Sequence, residues 1–262
     1  MILTLPGLVA TGLLFASGLQ QFRAFQRGLL TDASAIWLAR FGLLAAIATV
    51  WAGFAQNGGQ PTTALMGTLL GTLLTALVIA TSRRQPVNPV LMGVAPITGV
   101  FSLLAALVPT STMASLDTST AIHIVSAILA YGAVAYAGTL ALLVSWHHDA
   151  LKMRPLPALI AALPPLDAMD SLFFRSVQAA WILLTLSLIS GALYVEDFWA
   201  QQLAHKTVLS GLAWVGMSVT LIQHVQHGGI NRTMRRTAVA AAGLLFIGYL
   251  GSKAVLEFLI AA

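Results

Sequence analysis

The sequence predicts an all-α polytopic membrane protein with eight transmembrane helices and both termini on the outer side of the membrane. Three observations carry this. The chain has 262 residues, 58% of them hydrophobic and only 8% charged, whereas a soluble domain carries about a quarter charged residues. So few charges cannot cover a soluble surface of this size, which makes lipid the solvent for much of the chain. Apolar runs of spanning length recur along it, and the basic residues gather on alternate connections between them.

The runs lie at about 3–21, 34–54, 63–81, 88–108, 120–145, 177–195, 206–225 and 237–259. Each is close to the roughly 20 residues that a spanning helix needs. The first, MILTLPGLVATGLLFASGLQQ, has no basic leading region and no small-residue cleavage site. It reads as a retained helix rather than a signal peptide. The third places Gly67 four residues before Gly71, a spacing that suits close approach of two helices.

The longest interruption, 146–176, divides the chain into two parts. Residues 1–119 form an amino-terminal four-helix part; residues 120–262 form a second membrane domain that includes the 146–176 loop. Within that loop, Leu166, Met169 and Phe173 recur at helical spacing. They predict a short amphipathic helix on the cytoplasmic membrane surface. Asp167 and Asp170 read as capping and solvating groups rather than an acid–base pair.

Orientation follows from charge. Arg23, Arg27, Arg40, Arg83, Arg84, Lys152, Arg154, Arg175, Arg232, Arg235 and Arg236 all fall on one side of an eight-span arrangement. These are eleven of the thirteen Lys and Arg residues, with only Lys206 and Lys253 opposite. The positive-inside rule then places the basic connections in the cytoplasm of a bacterial-type inner membrane. The formal charge of +5 is explained by those connections, so the expected partner is membrane lipid and not nucleic acid. The absence of cysteine removes disulfides and thiolate ligands. No phosphate-binding glycine loop, nucleophile elbow or HExxH motif is present, which argues for a non-enzymatic protein.

The same orientation sorts the six histidines. His123 and His205 fall at the outer ends of the fifth and seventh helices. His147, His148, His224 and His227 fall at their cytoplasmic ends. Imidazole is a common ligand for haem iron and other transition metals, so two outer histidines on neighbouring helices would suit a haem held between them. Each would equally suit an interfacial bond to water, a lipid headgroup or a carbonyl. His224 and His227 share a helix face at metal-like spacing, although polar residues are expected at any helix end. Tyr194, Phe198, Trp199, Glu196, Asp197, His205 and Lys206 surround the outer connection after the sixth helix. They fit an aromatic belt, or a platform whose rings stack on a porphyrin while cations meet its propionates. Lys253 and Glu257, four residues apart, suit snorkelling at the outer interface more than an ion path.

Several runs taken together carry a resemblance. AIHIVSAILAYGAVAYAGTLALL, PPLDAMDSLFFRS, SGALYVEDF, HKTVLSGLAW and GGINRTMRRTAVAAAGLLFIGYLGSKAVLE resemble the cytochrome c assembly protein family, in its YpjD-like inner-membrane branch. The likeness is strong over 120–258; the first four helices match by hydropathy and span count. It implies a haem-handling protein that works with cytochrome c maturation proteins, with haem held near the outer face. His123, ahead of Ser126 and Tyr131, matches the family's first outer-face haem histidine. Lys206, Leu209 and Trp214 match the end of its tryptophan-rich haem motif. The resemblance also implies more outer tryptophans than Trp199 and a second histidine after the last helix, where SKAVLEFLIAA has none. By location, His205 is the substitute. The implied site is therefore His123 and His205 on haem iron, with Trp199 and Lys206 as support. A small-solute or ion transporter subunit, or a scaffold regulating another membrane protein, are the alternative expectations.

Overall fold

A computed structural model describes residues 4–56, 62–84, 87–107, 118–152, 165–194 and 204–251. Every regular element among them is helical: α1 (Thr4–Gln26), α2 (Ala33–Gln56), α3 (Thr63–Thr81), α4 (Leu91–Leu107), α5 (Thr118–Ala150), α6 (Leu166–Tyr194), α7 (Ala204–His227) and α8 (Arg232–Phe246). A 3₁₀ turn, Asn88–Val90, leads into α4, and a π turn, Ile247–Gly251, continues α8. Six of the eight are long and apolar enough to cross a membrane: α2, α3, α4 with its leading turn, α5, α6 and α7. Ser17, Gln20, Gln21 and Arg23 dilute α1. Three arginines open α8, and the remainder of the eighth run lies outside the described residues.

Local chemistry sets the helix ends. The Asp32 carboxylate accepts the Ser34 and Ala35 amides at 2.7 and 3.3 Å, supplying orphan donors at the start of α2. Thr62 receives the Leu65 amide at 3.2 Å and Asn231 the Met234 amide at 2.9 Å, which starts α3 and α8 in the same way. Gly228 follows α7 at φ 68°, the left-handed geometry that ends a helix without a Cβ penalty.

The chain forms two units. The first, residues 1–116 with 153–164, holds α1–α4. Here α1 packs on α2 and α4, and α3 packs on α4 and α2. The paired glycines of α3 do what their spacing predicts. A Cβ at Gly67 would collide with the Phe101 ring of α4, and one at Gly71 with Thr98. One turn on, Thr75 and Thr98 hydroxyls meet at 3.3 Å. Small residues let these helices approach closely, as membrane packing favours.

The second unit, residues 117–152 with 165–262, holds α5–α8. Its helices form a ring in which α5 and α7 each pack on both α6 and α8. So α5 and α7 stand at opposite corners rather than side by side. Ala130, Ala137, Ala141, Ala180 and Ala213 are fully buried between the helices, beside Phe173, Leu184, Met217 and Met234. One expectation is corrected. Leu166, Met169 and Phe173 do not form a separate surface helix but open α6, which runs unbroken from Leu166 to Tyr194. No proline interrupts the stretch after Pro165, and Met169 and Phe173 are buried in the unit's core. The apolar face that suggested a membrane surface is satisfied by packing.

Candidate functional site

His123 lies in the second turn of α5, facing the last turns of α6. Its imidazole rests against the backbone of Gly191, where an added Cβ would sit 3.0 Å from the ring's Cε1. Any larger residue at 191 would push the ring away. Ser187, Ser190 and Gly191 share one face of α6, since positions three and four apart are neighbours on a helix. The His123 Nδ1 lies 3.0 Å from the Ser190 Oγ. Ser190 Oγ is in turn 2.9 Å from the Ser187 carbonyl and 2.9 Å from the Ser126 Oγ. Ser126 also reaches the His123 carbonyl at 2.8 Å. The ring is half-buried, and its Nε2 has no hydrogen bond among the described residues.

Helix register places Lys206 at the same end. Trp181 pairs with Trp214 in a stack with 6.0 Å between ring centroids. The Trp181 indole donates to Ser218 and the Trp214 indole to Thr185, both at 2.8 Å. These antiparallel contacts bring the start of α7 level with the last turn of α6, the turn that also meets His123. Lys206 Nζ stands 5.8 Å from the Tyr249 ring centroid, a cation–π geometry, and Tyr249 meets Tyr131 edge-on at 5.6 Å. Tyr131 OH reaches Ser210 Oγ at 3.2 Å, crossing from α5 to α7. No carboxylate among the described residues lies within ion-pair distance of Lys206.

The opposite end of the unit carries a second polar group. His147 is buried, its Nδ1 3.0 Å from the Met169 sulfur. Arg235 is buried too and donates through Nε to Ser145 at 3.1 Å. His224 stacks on Phe174 with centroids 3.6 Å apart, while its Nδ1 and the Asp170 Oδ1 are buried without hydrogen bonds. His227 bonds its own helix at the Gln223 carbonyl, 2.9 Å away, and His148 is exposed. No group of three or more His, Asp or Glu among the described residues is arranged to hold a metal ion. The metal-like spacing of His224 and His227 is thus spent on a ring stack and a backbone bond.

A family model described as cytochrome C assembly protein matches residues 8–260. The chain belongs to the cytochrome c assembly protein family. It is 29% identical over 170 residues to the inner membrane protein YpjD of Escherichia coli K12, covering 63% of this chain and 64% of that protein. It is 27% identical over 194 residues to an uncharacterized 28.8 kDa protein of Azospirillum brasilense, covering 73% of this chain and 64% of that protein. The matched stretch thus spans less than two thirds of each relative's length. No solved structure matches. With its apolar helices, this kinship makes the chain a multi-pass protein of a bacterial-type inner membrane.

Within that family fold, the predicted site residues fare differently. His123 has a defined setting. Lys206 is placed at the same end on α7, the helix diagonal to α5. His205 belongs to the first turn of α7, and its side chain lies outside what is described. Trp199, Lys253 and Glu257 also lie outside the described residues. Sequence reasoning missed the setting of His123 itself. Ser187, Ser190 and Gly191 sit in a run already singled out, but only the pairing of α5 with α6 gives them a partner. The Trp181–Trp214 pair was missed as well. Its signal is a hydroxyl residue four positions after each tryptophan, Thr185 and Ser218.

Proposed function

We propose that this chain is a non-enzymatic haem-binding protein of cytochrome c assembly, holding haem at the His123 end of the α5–α8 unit. The observation that carries the reading is the presentation of His123 in a chain of this family. One ring nitrogen is bonded to Ser190 at 3.0 Å, and the other has no hydrogen bond among the described residues. Haem, when bound, would supply an iron centre able to take an imidazole nitrogen, and His123 is the residue that would hold it. The residues present fit that demand: a half-buried imidazole braced by a hydroxyl and by a glycine that leaves it room.

Each neighbour then has a task that its chemistry permits. Gly191 and Ser190 orient the His123 ring. Lys206, free of carboxylates among the described residues, would meet a propionate. Tyr249 faces the Lys206 ammonium and Tyr131 backs Tyr249, which fixes that end of α7. His205 and Trp199 are the proposed second ligand and porphyrin-facing ring. The basic connections are cytoplasmic in this reading, both termini are outside across eight spans, and the His123 end faces outward. Cytochrome c maturation proteins are the proposed partners.

Two experiments test it. Purified in detergent and titrated with haemin, the protein is expected to develop a Soret band that His123→Ala removes. A band unchanged by that substitution overturns the assignment. Because the chain has no cysteine, single cysteines map sidedness directly. Cysteine at 121 should react with a membrane-impermeant maleimide in spheroplasts, and cysteine at 152 only after lysis. The reverse pattern would overturn the orientation.

A further inference from the structure

The contacts around His123 contain more information than its availability. A hydroxyl carries one proton and two acceptor lone pairs. Ser190 Oγ has three neighbours within hydrogen-bond reach: the Ser187 carbonyl at 2.9 Å, the Ser126 Oγ at 2.9 Å and the His123 Nδ1 at 3.0 Å. A carbonyl only accepts, so that contact is a hydrogen bond only when Ser190 donates its single proton to Ser187. Ser126 gives its own proton to the His123 carbonyl at 2.8 Å, so neither hydroxyl has a proton left for the Ser126–Ser190 contact or for the imidazole contact. The imidazole brings one only if Nδ1 is protonated.

We propose that Ser190 is a positioning residue that fixes His123 as the Nδ1–H tautomer and leaves Nε2 as the ligand nitrogen. The opposite tautomer requires Ser190 to give its proton to Nδ1, and the Ser190–Ser187 bond lapses. One hydrogen bond of ordinary net strength corresponds to about a tenfold preference. It also opposes the bias of isolated neutral histidine, which favours the proton on Nε2. Gly191 completes the device. A Cβ at Gly191 would stand 3.0 Å from the ring's Cε1, so the glycine lets the imidazole approach α6 closely beside Ser190. In metal sites, an N–H donated away from the metal fixes the ring and raises the basicity of the ligating nitrogen. The use of Nε2 as a ligand rests on the haem reading above; the tautomer does not.

The tautomer is read in haem-free protein. With ¹⁵N-labelled histidine in detergent at a pH where the ring is neutral, the two-bond ¹⁵N–¹H correlation separates protonated from bare ring nitrogens. The signals that vanish in His123→Ala identify the residue. The expected result is a protonated Nδ1 and a bare Nε2. A protonated Nε2 in the wild-type protein overturns the inference, whatever haem does. Ser190→Ala is expected to shift the ring toward the Nε2–H form, and Ser190→Thr to restore the wild-type pattern. An unchanged tautomer in a folded Ser190→Ala protein also overturns it.

A second arm uses haemin as probe. Ser190→Ala is expected to weaken haemin binding by about tenfold or more, and Ser190→Thr to weaken it less. A haem spectrum insensitive to His123→Ala, with the Nδ1–H tautomer intact, would remove the haem reading and leave the tautomer assignment standing.

Discussion

The two four-helix units are built from the same apolar material but keep different polar residues inside. In the α1–α4 unit, the buried polar side chains are neutral: Ser17, Gln21, Thr49, Thr68, Thr75, Asn88, Thr98 and Ser102 among others. Several of the hydroxyls bond a carbonyl one turn back, as Thr68 does to Ala64 at 2.8 Å and Ser102 to Thr98 at 2.9 Å. That satisfies the group within its own helix and leaves little for chemistry. In the α5–α8 unit, buried polar residues include His147 and Arg235, and all six histidines of the chain fall there. Hydroxyls in this unit reach across to rings: Ser190 to His123, Ser218 to Trp181 and Thr185 to Trp214. A buried ionisable group is expensive in or near a bilayer and marks function more than packing. On the proposed reading, the contrast makes the first unit a scaffold and puts the haem site in the second.

The largest expected break of that contrast is His123→Ala, which should abolish the haem Soret band while circular dichroism shows helix content unchanged. Matched glycine substitutions sharpen it. Gly191→Ala should lower haem affinity about tenfold to a hundredfold by moving the ring, as a haemin titration would measure. Gly71→Ala in α3 should leave that affinity unchanged. It should instead destabilise its own unit by about 1–3 kcal/mol through overpacking against Thr98, visible as a lower unfolding temperature in detergent. Equal effects of the two changes on haem affinity would erase the distinction between the units.

Smaller effects belong to caps. Asn231→Ala should cost about 1 kcal/mol by removing the cap of α8, seen in the same thermal melts. Asp32 supplies the smallest. The Ser34 side chain, followed by the Ala35 and Ser34 amides, holds its carboxyl below the ordinary carboxylate range. Its contribution is complete above the unfolded value and fades as the pH falls through the lower folded value. An acid-limb stability profile should therefore flatten slightly in Asp32→Asn, and an unchanged limb would remove Asp32 from that account.

Much of the site was legible in part. Composition and run length identified membrane helices because lipid leaves a strong signature, with every backbone group satisfied inside a helix. His123 could be singled out because its position at a helix end followed from the runs. The GxxxG pair, Gly67 and Gly71, could be read because its effect is local to one helix face. The brace on His123 could not. Ser190 and Gly191 lie more than sixty residues along the chain from it, and hydropathy carries no information about which helices pair. The same limit produced the misplaced surface helix at 166–173. An apolar face looks alike whether it meets lipid or protein, and only the partners of Met169 and Phe173 decide.

By itself, then, the sequence determined the helical class, the places of the apolar runs and the side bias of the basic residues, because these depend on local composition and period. Tertiary structure alone decided that α5 meets α6 and stands diagonal to α7, which nitrogen of His123 is occupied, and which polar groups at the far end are buried. Those are properties of pairs of helices, set by close packing between segments that no local pattern connects.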